Sequence, residues 1–167
     1  WALWDCGSTG VGAIVVTFVF SVYLTDDVGA ALPTATSPAS WLGWALAGAG
    51  LVVGLLAPVT GIWVDVPWRR RRVLAALTGL AVLLTSAMSL VREDYHYLWL
   101  GLILLAAAEA SIELATVPYN SMLRQLSTPE TSGRISGFGW AMGYCGSVAL
   151  LLIVYVGFMS GDGGLLG

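Results

Sequence analysis

The chain has 167 residues, 57% of them hydrophobic and only 10% charged, at a mean hydropathy of +0.83. A soluble domain carries about 25% charged residues, so a fold this apolar needs a lipid solvent for its surplus. The net charge of −3 is small, and it argues against a nucleic-acid partner.

A bilayer core about 30 Å thick needs about 20 apolar residues of helix to cross it. The first stretch long enough covers residues 3–24. It carries Asp5 in its first turns, with Ser8 and Thr9 beside it. It has no positively charged leader and no small-residue cleavage site, so it reads as a span, and further chain is expected ahead of Trp1. An acidic connector rich in Pro, Ser and Thr follows over residues 25–40.

The second span is expected over residues 41–64, with Gly50 and Gly54 in small-xxx-small spacing. At its end stand Gly61 and Asp65, followed by Pro67 and the run Arg69 to Arg72 in a basic connector over residues 65–72. Gly61 is expected to let a neighbouring backbone approach. Asp65 is expected to bond the arginines or a facing helix. The third span is read over residues 73–91, and a mixed connector over 92–97 holds His96, the sole histidine.

The fourth span, over residues 98–123, carries two carboxylates. Glu109 and Glu113 share a face at i, i+4, and Thr116 and Asn120 continue it. A carboxylate near the bilayer midplane costs roughly 2.5–3.5 kcal/mol. Two on one face call for a wet cavity, protonation or a cationic partner, which is the chemistry of a proton relay or a polar-solute site. Pro118 within this span predicts a kink, because its ring nitrogen donates no hydrogen bond. Arg124 follows, and residues 124–134 form a connector with two arginines and one glutamate. The fifth span, over residues 135–159, is studded with glycines, among them the pair Gly139 and Gly143. A glycine-rich tail runs from Ser160.

These runs are continuous rather than alternating, which selects helices over barrel strands. The expected fold class is therefore all-α: a polytopic membrane helix bundle with about five transmembrane helices in one domain, residues 1–167. Every basic residue is an arginine, and the second and fourth connectors hold six of the seven. By the positive-inside rule those connectors face the cytoplasm, as does the N-terminus.

Enzymatic chemistry is not expected. Cys6 and Cys145 form no CxxC or zinc spacing, and they read as small buried residues. His96 lacks neighbouring ligands for a metal, and no phosphate-cradling loop is present. No cofactor is expected.

The run Gly61, Asp65, Arg69 and Arg70 resembles the loop signature between helices two and three of the major facilitator superfamily. Val66 and Trp68 depart from the usual Arg and Gly of that loop. The Trp1–Asp5 opening, the Pro118–Leu123 stretch and the Gly133–Tyr144 stretch are similar to the vacuolar, autophagy-related amino-acid effluxers and their bacterial relatives. That resemblance implies the first five of twelve helices, an inner-membrane location and a small polar solute such as an amino acid. It also implies a central cavity completed by the C-terminal half or by partner membrane subunits. Asp5, Glu109, Glu113 and Asn120 would face that cavity, and Gly61, Asp65, Arg69 and Arg70 would gate its cytoplasmic side. The alternative is a non-transporting structural or assembly subunit of a larger membrane complex, with its glycine stripes and Trp residues against partner helices or pigments.

Overall fold

The computed structural model describes residues 2–33 and 35–159, the side chains at 124, 158 and 159 excepted. Trp1 and the glycine-rich tail from Ser160 lie outside the described residues. The described chain is all-helical and has five helices long and apolar enough to cross a membrane. We label them α1 (Ala2–Val28), α2 (Pro38–Val64), α3 (Pro67–Leu90), α4 (Leu98–Leu126) and α5 (Ser132–Gly157). These are the helices of an integral membrane protein.

Every span except α4 starts earlier than expected, and the largest correction concerns the arginines. Pro67 starts α3 directly after α2, so Arg69 to Arg72 lie in its first two turns rather than in a connector. Pro is suited to this first helical position, where its missing N–H would be unpaired in any case. Likewise, α2 starts at Pro38, one residue after Ser37, whose hydroxyl accepts the Ser40 N–H at 3.3 Å. Both starts are polar, and a reading based on apolar runs passes over them.

The chain divides into two compact units. One comprises the N-terminal part of α1, through Val19, together with the chain from Ser127 onward. Here α1 packs on α5. Gly139, Gly143, Gly146 and Ser147 form the buried stripe of α5. A Cβ at Gly146 would stand 3.0 Å from the Cys6 carbonyl oxygen and 3.1 Å from its Cα, so the two backbones meet there. Without a hydrophobic force between helices in lipid, such close van der Waals approach is what holds them. Within α1 the hydrogen-bond ladder widens to the π form over Gly12–Val19, and the Thr17 hydroxyl donates to the Gly12 carbonyl at 3.2 Å.

The other unit runs from Phe20 to Leu126. Its centre is α4, which packs against both α2 and α3, while those two barely touch each other. Leu98, Leu102, Leu105, Ala108 and Ala115 are buried along α4. Gly101 leaves the space that the Leu24 side chain fills. The outer surfaces of α2 and α3 expose Leu55, Ile62, Leu83 and other large apolar side chains, as helices facing lipid do. Helix α4 runs unbroken through Pro118, whose ring is fully buried.

Candidate functional site

Helix α4 builds the candidate site. Glu109 stands fourteen residues from either end of the span Tyr95–Leu123, which puts it at the middle of the crossing. At about 1.5 Å per residue, that is about 21 Å of helix from each end. Glu109, Glu113, Thr116 and Asn120 fall within an arc of about 60° on the helical wheel. The same arc holds the buried Leu98 and Leu102 in the first turns of α4. Glu109 is half-buried, Thr116 is half-buried, and Glu113 and Asn120 are exposed.

The two carboxylates differ in their surroundings. The Glu109 Oε2 atom is buried and has no hydrogen-bond partner among the described residues. Glu113 lies one turn further on, and its carbonyl accepts the Thr116 hydroxyl at 2.6 Å. No cation pairs with either carboxylate among the described residues: the close contact found there joins His96 and Asp94, in the turn that leads into α4. A buried carboxylate oxygen left unpaired is costly. Such an atom is suited to receive a proton or to accept a donor group from a solute.

The basic motif is arranged differently from the expectation. The Asp65 carboxylate makes no ion pair with the arginines among the described residues. Instead, Arg70 binds main-chain carbonyls. Its Nε donates to Val64 O at 2.8 Å, its Nη1 to Ser121 O at 3.1 Å and its Nη2 to Asp65 O at 3.4 Å. Two of those carbonyls close the C-terminal end of α2, where helix carbonyls lack partners and a cation is favoured. Arg69 is exposed beside the Trp68 ring. Gly61 faces open space, and no backbone approaches it within 4 Å of an added Cβ.

The remaining expected residues separate clearly. Asp5 and Thr9 lie against Gly143, where an added Cβ would stand 3.2 Å from Asp5 Oδ2 and 2.9 Å from Thr9 Oγ1. Asp5 is therefore a half-buried residue of the α1–α5 packing in its own unit. Gly50 and Gly54 are exposed, and a Cβ at either would meet nothing within 4 Å, so no helix among the described residues is packed on that pair. Cys145 is exposed rather than buried, and Cys6 is half-buried against Gly146. No group of three or more metal-binding side chains occurs among the described residues.

Two features lay outside the sequence reading. One is the inward turn of Arg70. The other is the Trp41–Trp99 pair, edge to face at 4.9 Å between ring centroids, in which the Trp41 Nε1 is buried without a partner among the described residues. Trp enrichment was visible, but the pairing of these two was not. No protein-family model, curated protein or solved structure matches the chain.

Proposed function

We propose that the chain is the membrane-embedded part of a secondary transporter that moves a small polar solute, such as an amino acid, by alternating access with proton coupling. The observation that supports this reading is Glu109, a mid-membrane carboxylate with a buried, unpartnered oxygen and a second carboxylate one turn away. Intramembrane carboxylates of this kind mark ion and solute pathways. Glu109 would carry the proton, and Glu113 and Asn120 would contact the solute.

The facilitator-like spacing of Gly61, Asp65, Arg69 and Arg70 gives this reading its family: a major-facilitator N-terminal half, similar to the amino-acid effluxers. On this reading the arginine-rich ends face the cytoplasm of a bacterial inner membrane. The helices that complete the cavity come from the same protein or from partner membrane subunits. The activity is transport and involves no covalent chemistry. To test it, the purified protein, with any subunits that co-purify, is reconstituted in liposomes under an imposed pH gradient. Gradient-driven solute uptake is expected, and the double substitution Glu109→Gln with Glu113→Gln abolishes it. Uptake that ignores the pH gradient in both proteins refutes the coupling.

Helix α2 supports a second reading, an assembly subunit of a larger membrane complex. Its exposed Gly50 and Gly54 leave open space at the spacing that close helix pairs use. A stoichiometric complex that purifies with the chain and shows no transport would favour this reading.

A further inference from the structure

We propose that Trp68, Arg69, Arg71 and Arg72 form a binding surface for the phosphodiester headgroups of anionic phospholipids, at the membrane face where α2 turns into α3. A helix N-terminus is already positive, so cations in the first turns are unfavourable there unless something offsets them. The first turn of α3 has no acidic residue. Of the four arginines, Arg70 is the one that donates hydrogen bonds among the described residues, to the carbonyls of Val64, Asp65 and Ser121. Arg69, Arg71 and Arg72 are exposed, and none forms an ion pair among the described residues.

Their depth in the membrane follows from their neighbours. Ile62, Trp63, Val66 and Trp68 are exposed apolar side chains immediately around the turn. Trp prefers the headgroup region, where its ring and its N–H are both satisfied. The guanidinium carbons of Arg69 and Arg72 lie 5.2 and 4.9 Å from the Trp68 ring centroid, so the ring gathers two charges into one cluster. Guanidinium groups donate pairs of parallel hydrogen bonds that match phosphate oxygens. Asp65, just ahead of the helix, pairs with none of these arginines among the described residues, and a negatively charged lipid surface supplies anions at the depth where their side chains end.

The test measures lipid retained by the purified chain, by native mass spectrometry, after exchange into mixed micelles of phosphatidylglycerol and phosphatidylcholine. Preferential retention of phosphatidylglycerol is expected. Each arginine contributes about fivefold, equivalent to about 1 kcal/mol. The triple Arg69→Gln, Arg71→Gln, Arg72→Gln variant then loses about a hundredfold, while the triple Lys variant at the same positions keeps most of it. Circular dichroism confirms that each variant remains helical, and the Lys variant keeps the test decisive if the Gln variant does not fold. Equal retention of the two lipids, or retention unchanged by the Gln variant, overturns the proposal. So does displacement of the lipid by millimolar inorganic phosphate, which would indicate a free-anion site rather than a lipid surface.

Discussion

Arg70 reaches across 51 residues of sequence to donate a hydrogen bond to the Ser121 carbonyl at 3.1 Å, while its Nε holds Val64 O at 2.8 Å. One side chain thus joins the end of α2, the start of α3 and the last turns of α4. Hydrogen bonds to a charged group contribute about 1.5–3 kcal/mol, so Arg70→Ala should destabilise the protein by about that amount. Arg71→Ala removes an exposed neighbour and should stay within about 0.5 kcal/mol. Thermal unfolding in detergent checks both. Equal effects would show that Arg70 is not a clamp.

Glycines at similar spacing should respond in opposite ways. Gly146→Ala forces a Cβ against the Cys6 backbone and should cost about 1–3 kcal/mol through overpacking. Gly50→Ala and Gly54→Ala meet open space and should gain about 0.5–1 kcal/mol from reduced backbone freedom in the unfolded chain. The same unfolding assay separates them. A stabilised Gly146→Ala would contradict the close α1–α5 approach.

In the turn that leads into α4, Asp94 accepts the His96 N–H at 3.0 Å and lies 2.6 Å from the His96 Nδ1. The backbone bond first, and the side-chain bond second, hold its carboxyl below the ordinary value of 3.8. A depressed carboxylate stabilises the folded turn at neutral pH, and that contribution is lost as pH falls through the depressed value. The His96 amide resonance should therefore titrate with a midpoint below 3.8, and Asp94→Asn should remove the transition. A midpoint above 3.8 would contradict the turn geometry.

The five spans were legible because lipid imposes length and hydropathy on each helix regardless of its neighbours. Their polar ends were not, since Ser37-Pro38 and Val66-Pro67 begin helices with the same residues that end apolar runs. The Glu109–Glu113 stripe was legible from helical spacing alone. The role of Arg70 was not, because it depends on carbonyls freed at a helix end and on Ser121, far along the chain. Glycine spacing announced close packing on α5 and α2 alike. The spacing is the same on both, but only the helix lying alongside decides whether it is used, and α1 covers α5 while Gly50 and Gly54 are left open.

If Glu109 carries the coupled proton, single substitutions at the two carboxylates should separate their roles. A pH-sensitive dye trapped in the proteoliposomes reports proton movement as solute is added outside. Solute-dependent proton flux is expected in the unaltered protein, with its loss in Glu109→Gln and its retention at a reduced rate in Glu113→Gln. Solute-dependent proton flux that survives undiminished in Glu109→Gln would contradict that role for Glu109.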